Sequence, residues 1–87
     1  MLTRHLASEL AGTGVRINCI APSAIHNEKM DRYMSGEQRV ALGSTFPLGR
    51  IGEPEDVAAA ATFLASDASS WITGVTLDIA GGKIIPP

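Results

Sequence analysis

Val15 to Asn27 reads V-R-I-N-C-I-A-P-S-A-I-H-N. Val15, Ile17, Cys19 and Ile20 form a short β-branched and apolar run that Gly14 opens and Pro22 stops. A run of this kind between turn residues predicts a strand over 15–21, buried on both faces as in the interior of a parallel sheet. In open α/β sheets the ligand lies beyond the carboxyl ends of the strands, so residues 22–27 are where chemistry is first sought.

Upstream, Leu2, Leu6 and Leu10 with Ala7 recur at helical spacing, and Gly12 and Gly14 close the pattern, which predicts an amphipathic helix over 2–11. No turn or capping residue precedes Leu2, so the helix is expected to be the end of a longer one. Downstream, Met30, Tyr33 and Met34 lie among charges, and Ser35-Gly-Glu-Gln38 has the form of a capping box for a helix reaching about Leu42. The Met and Tyr residues suit either core packing or the lining for an apolar substrate. Pro54 at a first helical position, followed by Glu55 and Asp56 against the positive end of the helix dipole, starts a helix over 54–66. Its apolar stripe is Val57, Ala60, Ala61 and Leu64. Trp71-Ile72 reads as an apolar anchor and Gly74 as a turn into a strand over 75–80, in which Val75, Leu77 and Ile79 alternate before Gly81-Gly82. The order places helical segments between two strands and predicts a β-α-β unit with parallel strands. Two strands make no complete sheet, which points to a part of something larger.

The 87 residues suffice for one small domain that buries only about 60% of its unfolded surface. A composition of 45% hydrophobic and 18% charged residues is that of globular proteins, and no apolar run reaches the length of a spanning helix. His5 and Glu9 interrupt any signal-peptide core, so the expected compartment is the cytoplasm. The single cysteine, Cys19, excludes an internal disulfide and reads as a small buried hydrophobe. A net charge of −2 offers no basic footprint for nucleic acid or anionic membrane.

Motifs for catalysis within these residues are absent. His5, His26 and Cys19 lack metal-ligand spacing, so no metal site is expected. Ser23 has no G-x-S-x-G surroundings. Gly12-Thr-Gly14 follows a helix and precedes a strand, the reverse of a dinucleotide-binding glycine loop, and is read as a helix stop. Gly49-Arg-Ile-Gly52 has the spacing of a G-x-x-G nucleic-acid clamp, but its neighbours are acidic.

The blocks L-T-R-H-L-A-S-E-L, V-R-I-N-C-I-A-P, P-L-G-R-I-G-E-P-E-D-V-A, F-L-A-S-D-A-S-S-W-I-T-G and T-L-D-I-A-G-G together resemble the C-terminal part of short-chain dehydrogenases/reductases. The likeness covers nearly the whole chain and is closest to the bacterial branch resembling β-ketoacyl-carrier-protein reductases. It implies an α/β fold: the C-terminal part of a doubly wound Rossmann sheet, with 15–21 as its sixth strand and 77–79 in its seventh. It also implies NAD or NADP as cofactor, a small carbonyl or alcohol substrate, and a homodimer or homotetramer whose contacts include the helix with Ala59. The family's Pro-Gly-x-Ile/Val-x-Thr cofactor motif falls on Pro22, Ser23, Ala24, Ile25, His26 and Asn27. The resemblance therefore assigns Pro22, Ser23, Ile25 and Asn27 to the nicotinamide side of the cofactor, with Ser in place of Gly and Asn in place of Thr. Asn27 keeps hydrogen-bonding capacity, whereas Ser23 restricts backbone angles that Gly would permit. The stretch from about Asn27 to Phe46, with Met30, Tyr33, Met34 and Phe46, corresponds to a mobile substrate lid.

The family's glycine-rich loop, its catalytic serine and its Tyr-x-x-x-Lys have no counterpart in these 87 residues. Tyr33 has Glu37 rather than Lys four places on, so no catalytic residue is assigned. The expectation is a segment of an oxidoreductase that is inactive by itself, and its alternative is a non-catalytic piece that only packs or oligomerises.

Overall fold

The computed structural model describes residues 1–83. Helix α1 (Leu2–Glu9) runs into a 3-10 turn over Ala11–Thr13, and strand β1 (Cys19–Pro22) follows. Three helices, α2 (Glu28–Tyr33), α3 (Gly36–Gly43) and α4 (Pro54–Ala65), then lead through a 3-10 turn over Asp67–Ser69 to strand β2 (Thr76–Ile79). The strands pair in parallel with Cys19 opposite Thr76 and Pro22 opposite Ile79.

The first strand begins four residues later than its apolar pattern predicts and includes Pro22. Side chains take over the ladder before Cys19: the Ile17 N–H donates to Thr73 Oγ1 (3.0 Å) and the Val75 N–H to Asn18 Oδ1 (3.2 Å). Pro22 closes β1 without interrupting this ladder, whose donors are the Cys19 N–H to Val75 O (2.9 Å) before it and the Ser23 N–H to Ile79 O (3.1 Å) after it. Burial differs from expectation too. Cys19, Ile20 and Ala21 are half-buried and Val15 is 51% exposed, because a two-stranded sheet has no further layers to cover them.

Helix α1 keeps Ala7 buried, packed so closely on Gly74 that a Cβ there would lie 3.3 Å from the Ala7 methyl. Gly74 has φ +76°, and its N–H donates to Ile17 O at 2.7 Å. The Ser35 capping box forms with both of its hydrogen bonds, Gln38 N–H to Ser35 Oγ (3.1 Å) and Ser35 N–H to Gln38 Oε1 (2.8 Å). Pro54 occupies the start of α4, which packs on both strands. Helix α2 is an addition to the sequence reading, and it is only six residues long.

Two apolar readings change. Trp71 is 99% exposed and anchors nothing within the described residues. Phe46, expected on a lid, is 5% exposed and belongs with Ile51 and Ala80 to a small core at the carboxyl end of β2, with the Lys83 ammonium 4.7 Å from its ring centroid.

Apolar surface is left in excess. The accessible area is 6263 Å², against about 4,900 Å² expected of a compact monomer of this mass. The radius of gyration is 15.7 Å, where about 12 Å is usual for this length. No helix among the described residues is long and apolar enough to cross a membrane.

Candidate functional site at the carboxyl end of the first strand

Beyond Pro22 the chain stays extended and is hooked to the loop ahead of α4. The Ser23 N–H donates to Ile79 O (3.1 Å), Gly52 N–H to Ala24 O (2.8 Å) and His26 N–H to Gly52 O (2.8 Å), which makes Ile25 and Gly52 a parallel bridge. Residues 22–27 are thereby held at the carboxyl end of the sheet. No non-glycine residue among those described has a positive φ, so Ser23 occupies its place without backbone strain. The restriction expected from replacing Gly has no consequence in this loop conformation.

Asn27 ends the hook and caps α2. Its Oδ1 accepts the Met30 N–H at 2.8 Å, satisfying one of the unpaired donors of the first turn. Its Nδ2 makes only a 3.4 Å contact to Ile25 O and lies at an exposed position. The Ile25 N–H has no acceptor among the described residues. The Ile25 N–H and the second N–H of the Asn27 carboxamide, two residues apart, are thus two donors that an oxygen acceptor could take.

Ser23 and Phe46 line a concavity of about 700 Å³ with Arg50, Asp56 and the turn Asp78–Lys83. His26 lines a second of about 510 Å³ with Arg39, Val40 and Ile51. Met30 and Met34 are half-buried and Tyr33 is 75% exposed on α2, and none of the three faces either concavity. Of the expected lid residues, then, only Phe46 joins a concavity with an expected cofactor residue, and it does so from the core.

Two charged clusters hold this end together. Asp56, at the third position of α4, accepts the Glu53 N–H at 2.7 Å and both Arg50 Nη atoms at 2.8 and 3.2 Å. The Arg50 guanidinium and the Glu53 N–H keep its carboxyl down at about 2. His26 stands between Asp31 on α2 (Nε2 to Oδ1, 2.8 Å) and Glu53 at the start of α4 (Nδ1 to Oε2, 3.2 Å). Hydrogen bonds to both carboxylates, Asp31 foremost, raise its pKa above the ordinary histidine value.

Sequence reasoning missed Arg16. Its guanidinium reaches the carboxyl end of α4 and donates to Leu64 O (2.9 Å), Ser66 O (3.2 Å) and Ser69 Oγ (2.9 Å), with Ser69 1% exposed. A cation there satisfies terminal carbonyls and opposes the negative end of the helix dipole. The signal available was an arginine inside an apolar run. No group of three or more His, Cys, Asp or Glu among the described residues is arranged to hold a metal ion.

A family model described as enoyl-(acyl carrier protein) reductase matches residues 1–83. The 3beta-hydroxysteroid dehydrogenase 1 of Eggerthella lenta is 46% identical over all of this chain, which spans 34% of that relative. The structure of the 3-oxoacyl-[acyl-carrier protein] reductase from Brucella melitensis superposes with a TM-score of 0.84 at 36% identity, over 98% of this chain and 31% of that one. YwfH, an NADPH-dependent reductase involved in bacilysin biosynthesis, superposes with a TM-score of 0.83 at 26% identity, over 99% of this chain and 36% of that one. The chain thus spans about a third of the length of the relatives it matches. With parallel strands, helices in the expected order and a family match over residues 1–83, the chain belongs to the short-chain dehydrogenase/reductase family and corresponds to a C-terminal part of its Rossmann fold.

Proposed function

We propose that this chain is the C-terminal segment of an NAD(P)-dependent oxidoreductase that moves a hydride between nicotinamide and a carbonyl or alcohol carbon, and that it supplies the nicotinamide-side wall. The observation that carries this reading is a pair of donors on a loop hooked to the carboxyl end of β1: the Ile25 N–H, which has no acceptor among the described residues, and the second N–H of Asn27 Nδ2, whose first is given to Ile25 O at 3.4 Å. The bound dinucleotide would supply the hydride chemistry. Pro22 and Ser23 would form the wall, while Ile25 and Asn27 would orient the carboxamide. Helices α2 and α3, with Met30, Tyr33 and Met34 on α2, would cover the substrate, and exposed apolar surface would pack on the rest of the Rossmann sheet. In the whole enzyme α4, with the exposed Ala59, would contribute to homo-oligomer contacts. β-Ketoacyl reduction is one substrate class in keeping with the Brucella relative. A tyrosine acid and its lysine partner would come from elsewhere in the enzyme, so the 87 residues alone are inactive.

The test separates the two roles of Asn27 in an enzyme carrying this segment. Asn27→Asp retains an oxygen to cap α2 but loses the Nδ2 donor, whereas Asn27→Ala loses both. A lost polar contact is worth about 0.5–1.5 kcal/mol, so titration should show dinucleotide affinity reduced by up to roughly tenfold or slightly more in both variants. Only Asn27→Ala should also weaken α2. Unchanged affinity in both would leave Asn27 as a helix cap and remove it from the cofactor wall.

A further inference from the structure

We propose that His26 is a positioning residue that latches the first lid helix, α2, to the start of α4 when its ring carries two protons. Each ring nitrogen faces a different carboxylate, Asp31 on α2 at 2.8 Å and Glu53 ahead of α4 at 3.2 Å. Only the imidazolium has an N–H for both. The neutral ring has one N–H and one lone pair, so one carboxylate then faces a lone pair and its contact is lost.

The surroundings make this histidine the switch. Arg39 of α3 bonds Asp31 Oδ1 at 2.9 Å and Met34 O at 3.1 Å, so the latch draws α3 in as well. On the α4 side Arg50 is engaged by Asp56, which leaves Glu53 for His26. The backbone hook at Gly52 holds His26 in place in either protonation state, so its side chain decides whether α2 is tied to the start of α4, while Arg39 ties α2 to α3 in both. The other histidine, His5, pairs with Glu9 on α1 and touches none of these groups.

The sign follows from the contacts. Both carboxylates favour the charged ring, so its pKa lies above 6.5, and the latch is complete below that titration and released as pH rises through it. Asp31 is held below its ordinary value chiefly by His26, so the latch persists into mildly acidic solution. With side chains one-third to one-half exposed, its contacts weaken as salt increases.

The latch rests on this geometry and stands whether or not the segment walls a cofactor. Hydrogen exchange of the α2 amides, expressed as protection factors, should be followed in the enzyme carrying this segment while His26 is titrated by NMR. Protection at Asp31 and Met34 should fall several-fold as His26 loses its proton, and His26 should titrate above 6.5. In Glu53→Gln the titration should move down and the step in protection shrink. In His26→Phe protection should be low on both sides and independent of pH. A His26 titration at or below 6.5, or α2 protection equal on both sides of it, would overturn the proposal, and Glu53→Gln keeps the test decisive if His26→Phe does not fold.

Discussion

Arg16 shows how much one side chain settles in a segment with little core. Its guanidinium joins the entry to β1 to the last turn of α4 and to the segment after it, through carbonyls from Leu64 to Ile72, 48 to 56 residues away in sequence. Hydrogen bonds to a charged group are worth about 1.5–3 kcal/mol each, and the carbonyls released on its removal are partly shielded from water. Arg16→Met, which keeps the aliphatic stem, should therefore lower unfolding free energy by about 2–4 kcal/mol in chemical denaturation. A loss below about 0.5 kcal/mol would mean that water replaces the guanidinium at those carbonyls. An arginine inside an apolar run is the one trace of this in the sequence, and its partners are not legible, because a contact across 48 residues leaves no local spacing. Asn27 is the opposite case. The family resemblance proposes it for the cofactor wall, but its role as a cap was hidden by the shortness of α2. The burial of Phe46 and the exposure of Trp71 were not legible, because an aromatic residue in a loop says nothing of whether a surface exists to bury it.

At the scale of elements, local chemistry was the legible part. Pro54, the Ser35 box and the left-handed Gly74 specify helix starts and a turn through contacts within a few residues, and each stands where expected. The length of β1 was not legible, since Thr73 and Asn18 side chains replace strand pairing ahead of Cys19. The start of α4 depends on Asp56, whose carboxyl is held at about 2 against an ordinary 3.8. A depressed carboxyl pKa contributes stability that is fully present above the ordinary value and is lost as pH falls from there through the depressed one. The denaturation midpoint should therefore decline as pH drops from 3.8 toward about 2, and this component should be missing in Asp56→Asn. A variant whose acid profile overlays that of the parent would assign the decline to other carboxylates.

The whole molecule exposes more surface than a compact domain of its mass, and β1 is half-buried and β2 largely exposed where an interior sheet would enclose them. Parallel pairing and the order of helices were readable from periodicity, while the missing cover was readable only as an expectation that two strands make no sheet. The chain spans about a third of its relatives, and the proposed cofactor wall lies at the carboxyl end of the sheet, where the Ile25 N–H has no acceptor among the described residues. A wall without a pyrophosphate loop or a proton donor should do no chemistry by itself. The most direct measurement is NADPH oxidation with a ketone or 3-oxoacyl substrate, by the 87-residue chain alone and by the same chain joined behind the N-terminal two-thirds of a short-chain reductase. The chain alone should give a buffer-level rate and the joined protein should turn over. Turnover by the chain alone, or a folded joined protein that binds no dinucleotide, would contradict it.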